Sequence, residues 1–129
     1  MFKDISEIRF AGIKLLEELS STYHIDLNCD YPTISWLDNY ISTNRDIWSD
    51  KQKMALSYSI GYILGETLIK NFHGAWVFNE DFRQWVVSMK FGNANPIGKV
   101  NKYLYDYLDS IESFYTIVGM ADKNGGFDF

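Results

Sequence analysis

The chain has 129 residues, of which 47% are hydrophobic and 17% aromatic, and a formal net charge of −5. That length and apolar content predict one folded domain spanning residues 1–129 and exclude general disorder. The acidic balance, with lysines dispersed along the chain, argues against a nucleic-acid surface, which requires concentrated positive charge.

Helix signals begin at Asp4. With Glu7 three residues on it forms a capping-box pattern, and Ile5, Ile8, Ala11, Gly12, Leu15, Leu16 and Leu19 mark an inward stripe over residues 4–22. Phe10 and Ile13 widen that surface, so this helix is expected to pack into the domain rather than stand as a detached charged helix. The TYHIDLNCDYP stretch mixes β-tolerant residues with turn formers and reads as a loop, with room for a short extended piece between Tyr23 and Leu27. Cys29 within it is the only cysteine, which excludes an intrachain disulfide and fits a reducing compartment. No cationic, apolar leader pattern is visible, so the expected location is cytoplasmic.

Pro32 and Thr33 introduce a second helix whose stripe is Ile34, Leu37, Tyr40 and Ile41, ended by the STNRD sequence. Trp36 and Trp48 are expected to pack. Ser49 and Gln52 supply the next capping box, and the pattern from Asp50 to Lys70 or Asn71 predicts the longest helix. It is apolar on most sides, as a central helix should be. Gly61 and Gly65 would let a neighbouring element approach closely.

Beyond Asn71, His73 and Gly74, AWVFNE contains a strand from Ala75 or Trp76 to Phe78. FRQWVVSM supplies a second, paired across a turn at Asn79, Glu80 and Asp81. FGNANPIGK reads as a loop. Ile97 leads into a fourth helix with Val100, Leu104 and Leu108 inward. Asp109 and Glu112 form a capping-box pattern before Ile111, Phe114, Tyr115, Ile117 and Val118, so the last two helices are either one bent rod or two short elements. Residues 122–129, with Phe127 and Phe129, read as a mobile tail. The fold class is therefore α+β, with about five helices and a small antiparallel hairpin or sheet.

Glu66 is the candidate of most interest, embedded in the longest helix on the side shared by Ser59, Tyr62, Lys70 and His73. A carboxylate there can serve as a general base or satisfy tyrosine hydroxyls, tryptophan N–H groups or backbone amides. With no established opposing catalytic group, anchoring is the favoured role. No catalytic, cofactor or metal residue is assigned. His24 and His73 lie 49 positions apart and form no metal-ligand spacing.

Together, LGETLIKNFHGAWVFNE, FGNANPIGKV and DSIESFY resemble a family of small uncharacterised bacterial domains over much of residues 54–118. Gly65, Glu66, Gly74, Trp76, Asn95, Pro96, Lys99, Asp109 and Ser110 match its recurring positions. The chain departs from the pattern in its first helix and its Phe-containing acidic tail. Domains of this kind occur in bacterial conflict and immunity settings, so the resemblance implies a protein-binding inhibitor or immunity protein for a bacterial toxin or effector. On this reading Glu66, His73, Trp76, Asp81 and Lys99 are expected to lie close enough to form one contact region. The alternatives are a small hydrolase-like enzyme with a Glu66/His73 pocket, assisted by Tyr62, and a homo-oligomeric structural domain. No integral membrane association and no cofactor are expected.

Overall fold

A computed structural model describes residues 4–107 and 109–124. In chain order they form α1 (Ile5–Tyr23), α2 (Tyr31–Asn44), α3 (Asp50–Phe72), β1 (Gly74–Asn79), β2 (Gln84–Met89), β3 (Gly92–Ala94), α4 (Pro96–Tyr105) and α5 (Ile111–Lys123). This is an α+β fold of five helices and a three-stranded antiparallel sheet in the order β1-β2-β3. None of the described helices is long and apolar enough to cross a membrane.

Each helix start follows from a side chain that accepts an otherwise orphaned amide. Asp4 accepts from Ser6, Asp30 from Thr33, and Asn95 from Gly98. At α3 the capping box is complete, with Gln52 N–H donating to Ser49 Oγ at 3.2 Å and Ser49 N–H donating to Gln52 Oε1 at 2.8 Å. At α5 the cap is Ser110, which accepts from the Ser113 amide, and not Asp109. Asp109 instead sits 3.7 Å from the Lys99 amine.

The long helix α3 is the axis of the molecule. Ile60, Ile63, Leu64 and Leu68 have no exposed surface, and all four other helices and two strands touch α3. The glycines set the spacing. A Cβ on Gly61 would stand 2.7 Å from the Ile97 Cα, and one on Gly65 would stand 2.2 Å from the Trp76 ring and 3.2 Å from Pro96. Because Pro96 meets Gly65 while Tyr105 reaches back to Asp50, α4 runs in the opposite direction to α3.

Several expectations need correction. Phe10 and Ile13 do not pack inward: they are 67% and 46% exposed, because α1 meets α3 through Ile8, Gly12 and Leu19. Ile117 is also exposed. The GNA stretch within the segment expected to be loop supplies β3, which pairs Val87 with Ala94 and Met89 with Gly92. Gly92 takes φ +143°, a torsion that suits glycine at this two-residue turn. A single 3-10 turn at Arg45–Ile47, unforeseen in the sequence, joins α2 to α3. The last helix, α5, continues through Asp122 and Lys123, while Leu108, Phe127 and Phe129 lie outside the described residues.

The end of α4 is tied to α2 and α3 by tyrosines that donate to carboxylates. Tyr103 Oη donates to Asp38 Oδ1 at 2.7 Å, while Asp38 Oδ2 accepts from the Glu112 amide at 2.9 Å, so one aspartate joins three helices. Burial, with the Asp38 hydrogen bond next, pushes the Tyr103 phenol from 10 up to about 12. A raised phenol favours the native state below its unfolded value, and this contribution disappears as pH climbs through the folded value. Thermal melts should therefore show stability falling between pH 10 and about 12, with the slope reduced in Tyr103→Phe.

Candidate functional site

The polar centre of the molecule is built around Glu66. It lies half-buried on α3 directly after Gly65, whose missing Cβ leaves room for the Trp76 indole to lie against the helix. Trp76 Nε1 donates to Glu66 Oε2 at 2.9 Å. The indole stacks on Tyr62, one turn earlier on α3, with ring centroids 5.8 Å apart and planes 7° apart. The Tyr62 hydroxyl is in turn within hydrogen-bonding reach of Glu66 and Arg9. Burial and the Glu66 charge raise the Tyr62 phenol, with Arg9 opposing them. The result is a chain of polar contacts from α1 through α3 to β1.

Cys29 is half-buried against the main core, near enough for the Glu66 charge to act on it. Burial raises its thiol first and the Glu66 charge adds to that, while Lys70 works in the other direction. A raised thiol is a poor nucleophile near neutral pH, so the structure offers Cys29 as packing rather than as a reactive group.

Of the five residues expected to share one contact region, the structure joins two, Glu66 and Trp76. His73 is exposed at the C-terminal cap of α3, where its amide donates to the Ile69 carbonyl. Asp81 is exposed in the β1–β2 turn, at the opposite end of the six-residue β1. At about 3.3 Å per residue, roughly 20 Å of strand lies between them. Lys99 faces α5, with its amine 3.7 Å from Asp109 and 5.9 Å from the Phe114 ring centroid. A single contact region holding all five is therefore replaced by a Glu66–Trp76 centre with His73, Asp81 and Lys99 arranged around separate parts of the fold.

Of the three residues of the hydrolase alternative, the structure brings Glu66 and Tyr62 together and places His73 at the exposed end of α3. One oxygen of Glu66 is committed to an indole N–H, which lowers its availability as a base. Among the described residues, no group of three His, Cys, Asp or Glu side chains is placed to hold a metal ion. No family model, curated protein or solved structure matches the chain. The chemistry open to the site is thus argued from its geometry. A carboxylate fixed by an indole, with the Tyr62 and Trp76 rings stacked beside it, is suited to holding a shape and presenting charge.

Arg9 was not among the sequence candidates. Its signal is faint: it precedes Gly12 by three residues, and the side of α1 bearing that glycine is the side that meets Tyr62.

Two measurements probe this centre. Trp76→Phe keeps a ring to stack on Tyr62 but removes the N–H donor. Since the half-buried carboxylate regains some water, the expected loss is about 1 kcal/mol by chemical denaturation, below the range for fully buried charged hydrogen bonds. His73 has φ 61° and ψ 125°, a backbone region that L-residues rarely adopt. Releasing that strain in His73→Gly should raise stability by about 1 kcal/mol after the added flexibility of the unfolded chain is subtracted.

Proposed function

We propose that this chain is a protein-binding inhibitor of the immunity type, acting in the cytoplasm to neutralise a basic bacterial toxin or effector by occluding its working surface. The observation that carries this reading is the way carboxylates are held. Tyr31 donates to Glu112, Tyr105 to Asp50, Tyr107 to Asp46 and Trp76 to Glu66. A neutral donor fixes a carboxylate in place without cancelling its charge, unlike a lysine or arginine partner. Oriented negative groups on a rigid scaffold favour fast, specific docking of a cationic surface.

The resemblance of the GE, GAW and NPIGK elements to domains of bacterial conflict systems supports the same reading. The proposed mode of action is steric, with no covalent step.

Recovery of partners from native cells, followed by binding with purified components, tests the proposal. The expected result is a basic protein bound in a defined ratio, with its toxicity suppressed and its affinity falling as salt rises. Failure to recover a specific partner, or a partner whose binding ignores salt, overturns it.

A further inference from the structure

We propose that the cleft between α3, α4 and β2 is a binding site for a small neutral saccharide, held by hydrogen bonds to Asp50, Gln84 and Asn101 beside the rings of Tyr58 and Tyr105. This site goes beyond the protein-binding reading above. It takes a polyhydroxylated small molecule, and neither reading needs the other.

The fold builds the cleft between two ties. At one end Gly61 lets Ile97 settle against α3, so closely that a Cβ there would come within 2.7 Å of the Ile97 Cα. At the other end Tyr105 Oη donates to Asp50 Oδ1 at 2.9 Å. The stretch of α4 from Ile97 to Tyr105 rises about 12 Å, at about 1.5 Å per residue, which leaves the length of a short saccharide between the ties. Gln84, the first residue of β2, lines the cleft from the sheet. The volume is about 400 Å³, and small-molecule sites generally fall at roughly 300–1,000 Å³.

The lining decides the class of ligand. Among the described residues that form it, Asp50 is the one charged side chain, accompanied by the amides of Gln84 and Asn101 and the phenols of Tyr58 and Tyr105. With no lysine, arginine or histidine on these walls, a phosphate or carboxylate ligand would go without a countercharge, and a purely hydrocarbon ligand would strand the polar groups. A cationic amine would find Asp50. However, Lys53 already places its ammonium 4.5 Å from the centroid of the Tyr105 ring that holds this carboxylate, so a second cation would meet repulsion. A neutral ligand rich in hydroxyls escapes each of these penalties.

Hydroxyls both donate and accept, and the cleft offers partners of both kinds. Tyr105 occupies Oδ1 of Asp50 and leaves Oδ2 to accept from a ligand hydroxyl. Gln84 Oε1 accepts from the Trp85 amide at 3.0 Å, which orients the side chain and leaves its nitrogen as the donor to a ligand. Asn101, exposed on α4, supplies a further donor and acceptor from a single side chain. Met54, Tyr58 and Ile97 add apolar surface for the C–H faces of a sugar ring.

The test is an NMR titration of the isotope-labelled full chain with maltose, lactose, cellobiose and N,N′-diacetylchitobiose at millimolar concentration, beside spermidine and inorganic phosphate. Shifts centred on Asp50, Gln84 and Asn101 are expected with at least one disaccharide and none with phosphate. Asn101→Ala, at an exposed helical position that alanine suits, should weaken that binding at least about tenfold, its spectrum also reporting whether the fold is intact. The absence of shifts with every disaccharide, shifts centred instead on the cleft of Tyr23, Trp36 and Tyr40, or an unchanged affinity in Asn101→Ala would each overturn the inference. Tighter binding of spermidine than of any disaccharide would overturn it in favour of an amine.

The two readings fail separately. Saccharide binding without any recovered effector would sink the toxin-neutralising reading alone. A recovered effector with no saccharide bound at the cleft would sink this site alone.

Discussion

Gly61→Ala lowers stability by about 2 kcal/mol, even though alanine is the better helix former. Alanine should gain up to about 1 kcal/mol in helix propensity over glycine. Against this, the new Cβ would stand 2.7 Å from both Cα and Cγ1 of Ile97 and 3.1 Å from its backbone nitrogen. Ile97 is 2% exposed and belongs to the first turn of α4, so relief requires moving the helix and not merely turning a side chain. Overpacking a core costs about 1–3 kcal/mol, and a clash with backbone belongs at the upper end, which exceeds the propensity gain. The measurement is urea unfolding of the two proteins side by side. Gly119→Ala supplies the contrast: its Cβ would meet only the tip of the half-buried Phe72 ring, at 2.9 Å, and a ring tip can turn aside. That variant should stay within about 0.5 kcal/mol of wild type. A Gly61→Ala protein as stable as wild type would show that α4 slides freely on α3.

The same seam explains why so much of this fold could be read from the sequence. Ser49, Gln52, Gly61, Gly65 and the apolar run of α3 are local signals that agree with the global structure, and each was legible without its partner. The strands at Trp76 and Trp85 were legible because branched and aromatic residues cluster on either side of turn formers. β3 was hidden because three residues containing glycine and asparagine have little strand preference, and pairing with Val87 and Met89 alone makes them a strand. The cap of α5 was misassigned because Asp109 and Ser110 are both competent, and the choice depends on Lys99, which arrives from another helix.

The candidate site divides along the same line. The Glu66–Trp76 hydrogen bond was within reach of sequence reasoning, since a helix carboxylate near aromatic N–H and O–H donors seeks such partners. Arg9, which acts on Tyr62, and Cys29, which feels the Glu66 charge, lie 57 and 37 positions from Glu66, and no local pattern announces them. Phe10 and Ile13 mislead for the opposite reason: apolar spacing on a helix indicates burial, but the contact of α1 with α3 runs through Ile8, Gly12 and Leu19 and leaves these two outside it.

Arg45→Ala should destabilise the protein by about 3 kcal/mol, and Arg45→Met by less than half as much. Arg45 is only 6% exposed, in the short turn between α2 and α3. Its Nη1 donates to the Tyr103 carbonyl at 2.8 Å, and its guanidinium carbon lies 3.5 Å from the centroid of the Tyr107 ring and 4.8 Å from that of Tyr103. Asp46 accepts from Tyr107, holding that ring in place. A charged hydrogen bond of this kind contributes about 1.5–3 kcal/mol, and a desolvated cation–ring contact up to about 2 kcal/mol. Burying the cation works in the opposite direction, and Nε has no hydrogen-bond partner among the described residues. Methionine keeps much of the apolar stem between the two rings and removes the buried charge together with its unmet donor. Alanine removes the stem as well and leaves a gap beneath Tyr103 and Tyr107. Denaturant unfolding of the two variants therefore separates packing from charge. If methionine costs as much as alanine, the guanidinium itself holds α4 against the α2–α3 connection; if it costs less, the ring-lined slot is chiefly a packing site that tolerates a cation.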